Sequence, residues 1–135
     1  MSTIERFEDL EAWKRARSFA KLIHAVSGTG DFGRDFGLRD QIRRAANSIV
    51  SNIAEGFERD GDKEFLQYLF VAKGSCGEVR AQLYLAIDYE YITEQEFSQL
   101  KMKALELNRI ISGLIKYLKQ SHFTGKKYKA RSYKT

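Results

Sequence analysis

The 135-residue chain contains no proline. Proline stops helices more effectively than any other residue, because its ring locks φ, removes a backbone donor and collides with the preceding turn. Without it, helices are broken only by glycine and by short polar clusters. Four stretches of apolar residues at helical spacing lie between such breaks.

In the first, over residues 9–26, Leu10, Trp13, Ala16, Ala20, Ile23 and Val26 recur every three or four positions, with Lys14, Arg15, Arg17 and Lys21 on the other face. The stretch 27–33 ends it, because the four glycines between 28 and 37 are costly in a helix. The second stretch, 36–57, carries Leu38, Ile42, Ala45, Ile49, Ile53 and Phe57 on one stripe. Residues 58–62 form the next break, and Asp62 is the expected N-cap of the third helix. The third stretch, 63–89, is the longest, at roughly 40 Å for a helix of that length. Tyr68, Val71, Leu85 and Ile87 spread its apolar surface well beyond one stripe, so it calls for more than one neighbour. Its interior glycines, Gly74 and Gly77, each cost about 1 kcal/mol relative to alanine. They predict a second helix crossing closely, from the same chain or from another subunit. The fourth stretch opens at Thr93 and Glu96, a capping box in which hydroxyl and carboxylate serve each other's amides. It continues through Phe97, Leu100, Ala104, Leu107, Ile111, Leu114 and Leu118 and fades at Ser121.

Hydrophobic residues make up 43% and charged residues 30%, the balance of a folded, water-soluble domain. Helices of similar length with short connections bury their stripes most simply as an antiparallel up-and-down bundle. The expected fold is therefore all-α: a four-helix bundle over 1–120 and a disordered basic tail over 121–135. No apolar run approaches the roughly 18 residues of a membrane span, and the acidic N-terminal stretch does not read as a signal peptide. Cys76 is the single cysteine, so an intramolecular disulfide is impossible and a reducing cytoplasm is the expected compartment.

Little in the chain points to catalysis. Gly28, Gly30 and Gly33 match the spacing of a dinucleotide-binding loop, but they come after a helix rather than a strand, and Asp31 and Asp35 would repel a phosphate. His24 and His122 stand apart from any carboxylate or cysteine at metal-ligand spacing. Cys76 falls within an apolar stripe, where packing rather than reactivity is expected. The glutamates Glu55, Glu58 and Glu64 sit near helix ends, and no Glu-x-x-His motif of a di-metal bundle is present. The chain is expected to be no enzyme, with no cofactor and no metal.

Charge is more informative. Residues 1–120 hold 18 Lys and Arg against 18 Asp and Glu, whereas 121–135 hold Lys126, Lys127, Lys129, Arg131 and Lys134 and no acid. The net +5 therefore lies in the tail. In it Phe123, Tyr128 and Tyr133 alternate with the cations, so phosphates can be neutralised and unpaired bases stacked; a merely solvated tail is the competing reading. A second basic group, Arg39, Arg43 and Arg44, opens the second helix beside Asp35 and Asp40, and reads either as a salt-bridged surface or as part of a binding face. Asn47, Ser48, Ser51, Asn52 and Glu55 lie beside the second stripe, as interhelical hydrogen-bonding groups or as a partner surface.

The runs Phe7-Glu-Asp-Leu-Glu-Ala-Trp13, Gln41-Ile-Arg-Arg-Ala-Ala46, Ser48-Ile49 and Asn52-Ile-Ala-Glu-Gly56 resemble the bacterial four-helix bundle proteins encoded in intervening sequences of 23S ribosomal RNA genes. Lys63-Glu-Phe65, Gly74-Ser75 and Glu78 look like that family's third helix. The resemblance spans about residues 6–120. It implies a homo-oligomer, a barrel of five protomers, and similarity to accessory proteins of diversity-generating retroelements, which bind a reverse transcriptase and nucleic acid. Five tails on one ring would gather about 25 positive charges, which favours multivalent binding of a polyanion. The expected function is thus electrostatic binding of nucleic acid, RNA foremost, through the tail cations with Arg43 and Arg44. The alternative is a scaffold that docks a protein partner such as a polymerase.

Overall fold

The computed structural model describes residues 4–123, with side chains for 4–120. A 3-10 turn at Phe7–Asp9 leads into α1 (Glu11–Ser27), then the short α2 (Gly30–Arg34), α3 (Phe36–Phe57), α4 (Asp62–Asp88) and α5 (Glu94–Phe123). Among the described residues there is no strand. The main contacts run α1–α3, α3–α4 and α4–α5, and α5 closes back onto α1. Contacts of α3 with α4 occur in opposite chain order, Gln41 meeting Gln82 while Ser48 meets Ser75, and so do those of α4 with α5, Phe70 meeting Lys119 while Tyr84 meets Lys101. The fold is the antiparallel four-helix bundle that the periodicity predicts, and the stripes form one core containing Ile23, Ile42, Ile49, Leu69, Leu83 and Ile111.

The ends of the helices obey local chemistry. The capping box at α5 is present: the Glu96 amide donates to Thr93 Oγ1 at 3.1 Å, and the Thr93 amide donates to Glu96 Oε1 at 2.9 Å. At the end of α4, Glu90 takes the left-handed conformation with φ 63°, and the Tyr91 amide donates back to the Ala86 carbonyl at 2.8 Å. That pattern closes the last carbonyls of the helix. Asp35 caps α3, accepting from the Leu38 amide, and its second carboxylate oxygen accepts the Tyr91 phenol at 2.8 Å. These two donors hold the Asp35 carboxyl below its ordinary range.

Two expectations need correction and a third is narrowed. The glycine-rich stretch after α1 is not simply a break, because it contains α2, which Gly30 enters at φ 54°. Burial of Phe32, stacked on Tyr91 at 5.4 Å, offsets the poor helix propensity there. Asp62 is the first residue of α4, buried in its first turn, and Gly61 occupies the cap position. Finally, a Cβ on Gly74 or Gly77 would meet nothing within 4 Å, so among the described residues no helix of the same chain crosses there, which leaves the crossing from another subunit as the expectation.

The close crossing lies at Gly56 instead. A Cβ there would sit 2.5 Å from the Cβ of Tyr68 and 3.0 Å from a ring carbon of Phe65. Alanine is about 1 kcal/mol the better helix former, but forcing extra volume into a packed contact costs about 1–3 kcal/mol. Gly56→Ala is therefore expected to lower the urea midpoint of unfolding. A midpoint that rises would show that α3 and α4 separate there without penalty.

Candidate nucleic-acid interface

The three arginines at the start of α3 have three different environments. Arg39 donates to Asp40 at 3.0 Å and to the Gly33 carbonyl at 3.1 Å, with its guanidinium over the Phe36 ring. Arg43 turns toward the end of α1, where Nε donates to Ser27 Oγ at 2.8 Å and Nη2 to the His24 carbonyl at 2.9 Å. Ser27 is fully buried and its hydroxyl donates a hydrogen bond to the Ile23 carbonyl at 2.6 Å. A cation placed on the orphan carbonyls of a helix C-terminus is favourable in both hydrogen bonding and dipole terms. Arg43 thus ties α3 to the end of α1. Arg44 is exposed and makes no hydrogen bond or ion pair among the described residues. Asp35, expected to neutralise this group, faces Tyr91 instead.

The structure therefore does not assemble Arg43 and Arg44 into one site. Arg43 is engaged by its own chain and Arg44 points to solvent. The tail residues Lys126, Lys127, Lys129, Arg131 and Lys134 lie outside the described residues.

The polar residues of α3 divide in the same way. Ser48 Oγ shares a hydrogen bond with Ser75 Oγ at 2.9 Å, and Asn52 Nδ2 donates to the Ser48 carbonyl at 2.8 Å. Gln82 Nε2 donates to Gln41 Oε1 and to Glu78 Oε2 at 3.3 and 3.2 Å. These groups form a polar row between α3 and α4, while Asn47, Ser51 and Glu55 are exposed, with Glu55 bridged to Arg59.

The Cys76 thiol donates to the Ala104 carbonyl at 3.2 Å, and burial pushes it up to about 11, so it stays a thiol at neutral pH. Among the described residues no three His, Cys, Asp or Glu side chains form a group able to hold a metal. A recess of about 60 Å³ between α1 and α5, lined by Phe19, Leu22, Lys103 and the paired Arg15 and Glu106, is far smaller than the roughly 300–1,000 Å³ of ligand pockets. Among the described residues no helix is long and apolar enough to cross a membrane.

The bundle geometry and the motifs on α3 meet in one comparison. The sequence profile of the 23S rRNA-intervening sequence proteins matches residues 8–113. The chain belongs to that family. Among solved structures, the chain is similar to one from Bacteroides thetaiotaomicron, described as a protein with unknown function from the S23 ribosomal protein family. The TM-score is 0.72 with 24% identity, over 78% of this chain and 95% of that one. That likeness shows the helical fold. No curated protein matches the chain. The runs around Gln41 and Asn52 hold the α3 side of the polar row and the approach to Gly56.

Separate roles for the two arginines predict separate effects. Arg43→Ala leaves Ser27 and the His24 carbonyl without their donor, and is expected to cost about 1–3 kcal/mol. Arg44→Ala is expected to stay within about 0.5 kcal/mol of the parent. Thermal unfolding of both variants checks this, and equal losses would contradict the assignment.

Proposed function

We propose that this protein is a non-enzymatic, oligomeric helical bundle that binds nucleic acid, RNA foremost, through electrostatic contacts. The observation that carries the reading is the charge distribution: 18 basic against 18 acidic residues through position 120, then five basic residues and no acid. Polyanion binding driven by counterion release needs such a local surplus and little base-specific geometry. Tyr128 and Tyr133 among those cations supply faces for stacking on unpaired bases. Arg44, exposed and unengaged, supplies a further cation on the bundle.

Full-length protein and a variant with Lys126, Lys127, Lys129, Arg131 and Lys134 changed to Gln, titrated with a labelled structured RNA across a salt series, test this. The parent is expected to lose affinity linearly in log salt, and the variant to show a slope shallower by up to about 4. Identical slopes would remove the tail from the interface. No binding by the parent at moderate salt would sink the reading.

Assembly is supported by the outer face of α4. Val71, Gly74, Ala81 and Leu85 recur at helical spacing there, and Val71 and Leu85 remain 52% and 41% exposed. An interior glycine open to solvent, flanked by exposed apolar side chains, lets a second helix backbone approach closely. A second copy of this chain is the occupant proposed, and five copies is the number implied by the family resemblance. Light scattering at micromolar concentration is expected to give a multiple of 15.6 kDa, and Gly74→Arg with Ala81→Arg to reduce it to that value. A parent already at 15.6 kDa would leave the α4 face to a different protein, the docking-scaffold alternative.

A further inference from the structure

The basic surplus does not begin at the tail. No acid lies beyond Glu106, and Arg109, Lys116 and Lys119 lie on α5 before the tail is reached. At about 100° per residue, Lys101, Arg109, Lys116 and Lys119 fall within about 80° of one another around α5. Lys119 Nζ sits 5.2 Å from the ring centre of Phe70, and Lys101 Nζ 5.3 Å from that of Tyr84, so part of this flank borders α4. On α4, Phe70, Lys73, Gly77, Arg80 and Tyr84 recur at heptad spacing and share the flank that meets it. The two helices together present a seam of six cations, Lys73, Arg80, Lys101, Arg109, Lys116 and Lys119. From Lys101 to Lys119 it is about 27 Å long.

The acids within these stretches are turned elsewhere. Between Phe70 and Tyr84 the only acid is Glu78, and it accepts a hydrogen bond from Gln82 on the α3 side. Between Lys101 and Lys119 the only acid is Glu106, and it is paired with Arg15 of α1. Among the described residues none of the six seam cations makes an ion pair, so each keeps its full charge for a ligand. Lys73, Arg109, Lys116 and Lys119 are exposed, and Gly77 leaves the middle of the seam without a side chain. Phe70 and Tyr84, 47% and 44% exposed, stand between the cations.

We infer that the α4–α5 seam is a binding site for the sugar–phosphate backbone of nucleic acid, built into the folded bundle and continuous in sequence with the tail. The inference rests on the nucleic-acid reading above and locates part of its site. Cations at about one per turn along a straight helix pair offer a linear run of phosphate contacts, with little reading of bases. The six contacts would contribute about 5 to the salt slope on duplex and about 4 on a single strand.

The test uses the full chain and two variants of equal charge. One changes Lys101, Arg109, Lys116 and Lys119 to Gln; the other changes Lys14, Lys21, Lys63 and Lys103, exposed cations off the seam, to Gln. Each is titrated with a labelled RNA duplex of about 20 base pairs and with a single strand of the same length. Unchanged circular dichroism and melting temperature establish that both variants fold. The seam variant is expected to bind both probes at least tenfold more weakly, with a slope shallower by about 3, and the control less than threefold more weakly. Equal losses in the two variants would mean that net charge alone acts, and would overturn the site. Parent-like affinity in the seam variant would overturn it while leaving the tail reading standing. Failure of the parent to bind either probe would overturn both. A loss confined to the single strand, and reproduced equally by Phe70→Leu with Tyr84→Leu, would replace phosphate tracking by base stacking and also overturn it.

Discussion

Gly56 has no room for a Cβ, which would meet Tyr68 at 2.5 Å. This contact draws α3 and α4 together at one end of the bundle, and much of the rest depends on their proximity. Side chains as short as serine then span the gap, so that Ser48 and Ser75 bond directly at 2.9 Å and Gln41 reaches Gln82. The polar row makes the α3–α4 contact directional where a purely apolar one would tolerate sliding. A shift of one helical turn would separate each pair by about 5 Å and strand buried polar atoms. With α4 held by α3 on one flank and by α5 on the other, its outer face is what remains for a partner.

Fixing α4 in this way also sorts charge. Neutrality of the first 120 residues conceals an uneven distribution, because acids and bases are paired on some faces and unmatched on another. Glu78 is held toward α3 by Gln82, and Glu106 toward α1 by Arg15. Each is thereby turned away from the cations that lie between Phe70 and Tyr84 on α4 and between Lys101 and Lys119 on α5. The field along that seam arises from where two glutamates point as much as from where the lysines lie, and a count of residues cannot register orientation.

The helices were legible in the sequence because a 3.6-residue period is a local property, and the Thr93–Glu96 box because both partners lie within one turn. What escaped depends on distant partners. Arg43 shares a sequence run with Arg39 and Arg44, yet its role is decided by Ser27 and His24, 16 and 19 residues earlier. Gly56 and Gly74 are equally poor helix formers, and only the neighbouring helix separates a tight crossing from an open surface. The short helix α2 was hidden for the converse reason: local propensity argued against it, and the burial of Phe32 against Tyr91 prevails. The seam was half legible, since the absence of acids after Glu106 can be read directly, while the contribution of Lys73 and Arg80 requires knowing which flank of α4 meets α5.

A helix apolar around most of its circumference usually signals burial on all sides. In α4 the same composition serves four directions with different demands. Its inner stripe, from Phe65 through Leu69, Ala72 and Val79 to Leu83, fills the core. Its α3 flank carries the polar row, and its α5 flank carries aromatic rings beneath Lys101 and Lys119. The remaining flank keeps Val71 and Leu85 on either side of an open glycine. Aromatic rings beneath ammonium groups hold those groups at the surface without neutralising them, which a carboxylate would do. The apolar excess of α4 therefore maintains exposed positive charge on one side and leaves an unpartnered face on the next. A copy docked on that face would bring its own seam alongside, and the charge presented to a polyanion would grow with each protomer added.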